Sequence, residues 1–225
     1  MKDLSAPTLA EDLLLVLFQP RTGAVAAAGE NILHHVLAGA VLTELTFDAS
    51  VTTTTTPNGS ASVEVVEGRA PSDGILRSAW DYAAHTPRAL ETILAAIGPA
   101  LRQPLLERLV ARGDIREENA KVLGLLKTTT LKDGANGRRS GLVRDVHNVL
   151  VEGMEPTLRI AALAGLIWGS GTLHQFEPEI PRSSRVGRRA EEFGRGDLGA
   201  HGATQAVARA AAAMMRLIAA SLPPS

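Results

Sequence analysis

No cysteine occurs among the 225 residues, so disulfides, thiolate zinc sites and cysteine nucleophiles are all excluded. That composition fits a reducing cytosol. Aromatic residues make up only 3% of the chain, whereas alanine, leucine and glycine are abundant, which implies a core of aliphatic side chains on closely packed helices. Neither sign of charge dominates: 23 basic and 24 acidic residues leave a net charge of -1, which argues against a protein that coats DNA or RNA, and no nucleic-acid partner is expected. Long apolar runs are missing as well. The most apolar window, Ile160 to Trp168, falls well short of the roughly 20 residues needed to cross a bilayer. The opening MKDLSAPTLAEDLL lacks the basic region, apolar run and small-residue cleavage site of a secretory signal. The expected location is therefore cytoplasmic, with any membrane met from its inner surface.

What the chain does contain is helical periodicity with dense punctuation. Thr8 and Glu11 have the spacing of a capping box, which starts a helix near Leu9. Its body, Leu13 to Phe18, is apolar on every side and so belongs inside the protein, and Pro20 and Gly23 stop it. Between Glu30 and Phe47, Leu33, Leu37, Val41 and Leu45 recur at four-residue steps as one buried stripe. Two β-branched runs, Val51 to Thr56 and Ala61 to Glu67, flank Pro57-Asn58-Gly59-Ser60 and predict a β-hairpin. Ser72 and Asp73 cap a helix carrying Ile75, Ala79, Trp80 and Ala83; Thr86-Pro87 restarts one that runs to Gly98, and Pro99 begins another ending at Gly113. A short strand-like run, Val122 to Leu126 with Thr128 to Thr130, leads into the turn cluster Lys132 to Gly137, which predicts a second hairpin or projecting loop there. Further helices are expected near Arg138 to Val151, Pro156 to Trp168, Val186 to Phe193 and Ala200 to Ser221. The fold class is mainly α: a single-domain bundle of eight to ten helices over residues 1–225 with one or two short β-hairpins, residues 1–7 forming a disordered lead-in and 222–225 a tail.

Catalytic signals are weak, and no enzyme activity, metal or cofactor is expected. His34 and His35 point about 100° apart on a helix, while His147, His174 and His201 have no zinc-site spacing. Gly169-Ser170-Gly171 lacks the full G-x-S-x-G of a nucleophile elbow and follows a helix, so it reads as a helix stop. The stretch Asp133 to Gly137 lacks the other ligands of a calcium or phosphate loop and reads as a turn.

The order of these elements resembles the Golgi phosphoprotein 3 family from Leu9 to Leu222. The residues that carry the resemblance are LAEDLLLVLFQPRTG (Leu9 to Gly23), LAGAVLTEL (Leu37 to Leu45), LLERLVARGDI (Leu105 to Ile115), the KVLGLLKTTT region and LRIAALAGLIWGSGTL (Leu158 to Leu173). The alanine-, glycine- and arginine-rich usage is that of a bacterial member. The resemblance implies a mostly helical, peripheral protein whose shallow surface pocket holds the headgroup of phosphatidylinositol 4-phosphate with a tryptophan and three arginines. The tryptophan position falls at Ala28 or Gly29, the first arginine at Ala38, the second at Pro99 and the third at Arg102, the only one of the four kept. The resemblance also implies that the second hairpin projects from the body for self-association and membrane contact. Lys127, Lys132, Arg138 and Arg139 flank that hairpin and Leu131 lies near its tip; basic residues beside anionic headgroups contribute on the order of 1 kcal/mol each.

Arg102 reads two ways from the residues alone. Leu101, Leu105, Leu106, Leu109 and Val110 put it near the middle of an apolar helix side, where a charge needs a partner. That partner is either a bound phosphate or an internal acid such as Glu11, Asp12 or Glu44. The cluster Arg182, Arg185, Arg188, Arg189 and Arg195 is either a membrane-facing patch or an ordinary mixed-charge helix with Glu191, Glu192 and Asp197. The expected function is a non-enzymatic peripheral membrane adaptor that binds anionic phospholipid or phosphoinositide headgroups, with membrane-protein tails and a second copy of the chain as further partners. The alternative is a soluble oligomeric protein-interaction scaffold without phosphoinositide recognition.

Overall fold

A computed structural model of the chain describes residues 5–25, 29–55, 61–84, 87–122, 126–198 and 205–222, with the backbone alone described for 55, 119–122 and 126–129. Helix α1 (Leu9–Leu17) starts where the capping box places it: the Thr8 hydroxyl accepts from the Glu11 amide at 3.2 Å, and the Glu11 carboxylate accepts from the Thr8 amide at 2.9 Å. All nine of its residues are buried. It ends in a short ladder, β1 (Phe18–Gln19) against β2 (Ala24–Val25), closed through Gly23.

Helix α2 (Glu30–Phe47) is the axis of the molecule. The four-residue stripe Leu33, Leu37, Val41 and Leu45 is buried, and so are half of the residues on its other faces. It is surrounded by α1, α3 (Gly74–Ala84), α4 (Leu90–Ala111), α6 (Leu158–Gly169) and α8 (Gln205–Ser221). Glycine permits the closest of these contacts: a Cβ on Gly98 of α4 would stand 2.7 Å from the backbone oxygen of His34 on α2. Helices α5 (Arg138–Leu150) and α7 (Ser184–Gly194) pack on α6, and a 3-10 turn spans Leu173–Phe176. The first hairpin forms as expected, β3 (Val51–Thr55) with β4 (Ala61–Val65), extended by β5 (Arg88–Ala89). Its turn lies outside the described residues.

Three expectations are corrected. Pro99 does not begin a helix; α4 runs unbroken through Pro99 and Pro104. A proline inside a helix removes one hydrogen bond and costs about 3 kcal/mol. The burial of Leu94, Leu101, Leu105 and Leu109 along one continuous face outweighs that cost. The restart at Thr86-Pro87 gives way too, because Arg88 and Ala89 pair with β4 before α4 begins. Finally, the glycine cluster is not the turn of the second hairpin, whose turn lies outside the described residues. The hairpin joins β6 (Ile115–Val122) to β7 (Leu126–Asp133) in eight aligned pairs, and Gly134 to Gly137 instead connect it to α5. Among the described residues no helix is long and apolar enough to cross a membrane.

Candidate functional site

The adjacent acids Glu11 and Asp12 sit inside the protein at the start of α1, where a carboxylate must be paired to remain charged. Arginines from α4, α5 and α6 meet them. Arg112 donates to Glu11 at 2.8 Å, and Arg108 lies 3.6 Å from its other oxygen. Arg138 and Arg159 hold the two oxygens of Asp12 at 2.6 and 2.7 Å. Arg159 also reaches Glu44 on α2 at 2.9 Å and the carbonyl of Pro7 at 2.8 Å. Arg138 continues to buried Asp114, which Asn136 also holds at 2.6 Å. Arg108 forks onto Asp73 at 2.6 and 3.2 Å, and Ser5 donates to the same carboxylate at 2.7 Å. Ser5 and Pro7 thus join the network, and residues 1–4 lie outside the described residues.

Burial pushes the Glu44 carboxyl above its usual value, and the shared Arg159 and the Leu9 amide offset only part of that cost. Burial would also raise Asp73, but hydrogen bonds from Arg108, Ser5 and the Leu76 amide outweigh it and hold the group below the ordinary aspartate value. For Arg159, burial opposes the charge, and Asp12 and Glu44 more than restore it. A groove of about 1030 Å³ opens beside this network. Arg108, Arg112 and Arg138 line it together with Asp73, Glu107 and Asp114, so its positive charges are already matched. Chemically the network clamps α1, α2, α4, α5 and α6 together.

Arg102 lies elsewhere. Its partner is none of Glu11, Asp12 or Glu44, which are occupied by other arginines; Arg102 donates to Glu30, in the first turn of α2, at 2.9 Å. The side chains are 41% and 65% exposed. Arg102 thus stands at the edge of the apolar face of α4, one position beyond buried Leu101, and not in its middle. His34 lies 3.6 Å from the same Glu30 carboxylate.

The residues grouped around the second hairpin separate. Leu131 is near the base, opposite Glu117, and packs against the core. Arg138 is consumed by Asp12 and Asp114. Arg139 turns inward to cap the end of α1, donating to the carbonyls of Phe18 at 2.8 Å and Val16 at 3.3 Å. Burial lowers its pKa, with Asp133 and Glu179 opposing the shift. Lys132 pairs in register with Arg116 and stays partly exposed. The side chain of Lys127 lies outside the described residues. Neither Arg138 nor Arg139 is therefore available to a membrane.

A family model described as Golgi phosphoprotein 3 (GPP34) matches residues 9–214. The chain belongs to this family. Comparison with curated proteins finds no individual match. Against the pocket that the resemblance implies, this GPP34 member has Ala38 fully buried and Pro99 without a donor, leaving Arg102 alone. The network arginines Arg108, Arg112 and Arg159 escaped the sequence reading. Their signals were present: two arginines one turn apart between buried leucines, and a lone charge at the second position of an otherwise apolar helix.

Proposed function

We propose that this GPP34 member is a non-enzymatic peripheral protein that docks on anionic phospholipid surfaces from the cytoplasmic side, with Arg102 as its phosphate contact. The observation that carries the reading is the partner of Arg102. Where the other arginines of the expected surface are locked into buried carboxylates or backbone carbonyls, Arg102 holds only an exposed glutamate. An exposed ion pair of this kind is worth about 0–1 kcal/mol, so a phosphate can displace Glu30 at little cost. The guanidinium then offers paired, charge-assisted hydrogen bonds to the incoming oxygens. With Arg138 and Arg139 withdrawn, each copy adsorbs weakly, and self-association supplies the avidity of a stable membrane layer.

Co-sedimentation with vesicles at moderate salt tests this. Neutral phosphatidylcholine vesicles are compared with vesicles that also contain phosphatidylinositol or its 4-phosphate. The proposal expects retention on the anionic vesicles only, weakened by added salt and by Arg102→Glu. Absence of binding to every anionic vesicle refutes it. The buried alanine at position 38 favours a second reading, a soluble oligomeric scaffold, and that result would leave it standing.

A further inference from the structure

Away from Arg102 and from the arginine network, a second cleft of about 1130 Å³ opens where α2, α6, α7 and α8 converge. Its walls are apolar: Ile32, Trp168, Leu173 and Leu222 face it from four separate stretches of chain. Trp168 is partly buried, with its ring pressed against the backbone of Gly194, where a Cβ would come within 2.4 Å. That packing fixes the ring at the cleft. Its indole N–H makes no hydrogen bond to any described residue.

The polar side chains of the cleft include one arginine, and the Ser183 hydroxyl accepts from the Val186 amide at 3.2 Å as the cap of α7. His174, Arg182, Ser183 and Ser184 line it, and among the described residues no aspartate or glutamate does. The Arg182 guanidinium has no carboxylate partner among the described residues; neighbouring Glu177 takes the backbone amide of Arg182 at 3.2 Å instead. Every other groove arginine described above is neutralised within the protein, so this cleft differs in keeping its positive charge for something else. Apolar side chains lining the same cleft as an arginine with no carboxylate partner among the described residues match a molecule with an apolar body and an anionic end.

We infer that this cleft binds a single anionic amphiphile, an acyl chain ending in a carboxylate or phosphate, with the head at Arg182 and His174 and the chain against Trp168, Leu173, Ile32 and Leu222. The site is independent of Arg102 and stands or falls separately from membrane docking. Each buried methylene tightens binding about fourfold, so an acylated anion binds here far more tightly than inorganic phosphate.

The chain has two tryptophans, and Trp80 is remote from the cleft, bonded to the carbonyl of Ser50 at 3.1 Å. Trp80→Phe therefore leaves Trp168 as the sole reporter. Dibromostearate below its micelle concentration should quench that fluorescence saturably, and stearate and stearoyl lysophosphatidate should reverse it, the tighter competitor identifying the head. Arg182→Glu should weaken the effect at least tenfold, and Arg102→Ala should leave it unchanged. Arg182 is exposed, so its substitution does not threaten folding, and circular dichroism verifies this. No quenching of Trp168, equal quenching in Arg182→Glu, or displacement by inorganic phosphate at the concentration at which stearate acts would each overturn the assignment.

Discussion

Replacing Asp12 by alanine should separate the arginines that clamp the helices from Arg102, which holds only an exposed glutamate. Asp12 is 4% exposed and receives Arg138 and Arg159 at 2.6 and 2.7 Å. Removing one partner of a buried pair costs about 3–5 kcal/mol, because the charge left behind is still buried. Here each arginine keeps a second carboxylate, Asp114 for Arg138 and Glu44 for Arg159, which places the cost at the lower end, about 3 kcal/mol. For a chain of this size, 1 kcal/mol moves the melting temperature by about 2–4 °C, so Asp12→Ala should melt about 6–12 °C below wild type. Arg102→Ala loses only an exposed pair, at most about 1 kcal/mol, and should melt within about 4 °C of wild type. Thermal melts followed by circular dichroism, both variants in one buffer, make the comparison. If Arg102→Ala proved as destabilising as Asp12→Ala, the division between clamp and surface contact would be wrong.

The pH dependence of Asp73 has a definite sign. Its folded pKa lies below the unfolded value of about 3.9, so its contribution is present above that value and is lost as pH falls through the lower folded one. Asp73→Asn should therefore be less stable than wild type at neutral pH, with the gap in urea midpoint closing in acid; a gap that widened in acid would contradict the Arg108 pairing. Two glycine substitutions should move in opposite directions. In α4, Gly98→Ala gains about 1 kcal/mol of helix propensity but drives a methyl to 2.7 Å from the His34 oxygen, and overpacking of about 1–3 kcal/mol leaves a net loss. In α7, a methyl at Gly187 meets nothing within 4 Å, so Gly187→Ala should raise the melting temperature.

The elements legible in the sequence were those whose local chemistry and tertiary role agree. Thr8 and Glu11 cap α1 by contacts three residues apart, and the stripe from Leu33 to Leu45 is both helical in period and buried in fact. Strand β6 was not legible, because IREENAKV has neither alternation nor β-branched residues beyond its ends. Its pairing comes from β7 and from the Gly134 amide donating to the Asp114 carbonyl at 2.8 Å. The continuity of α4 was hidden by two prolines whose cost is met only by contacts distant in sequence. For the candidate site, it was legible that Arg102 lies on a helix, whereas its place at the edge of the apolar face and its partner were not. Sequence favours nearby or buried acids, and the choice of Glu30 depends on how α4 crosses the start of α2. Arg138 and Arg139 misled for the same reason: beside a hairpin they look like surface charge, and the fold turns both inward.

The contact between Arg102 and Glu30 leads to the most direct test of the docking proposal. Glu30→Gln removes the competing charge while leaving Arg102 in place, so its apparent affinity for vesicles containing phosphatidylinositol 4-phosphate should rise several-fold over wild type and return below it when Arg102→Glu is added. An affinity unchanged by Glu30→Gln, or one indifferent to the charge at position 102, would contradict the proposal that Arg102 is the phosphate contact.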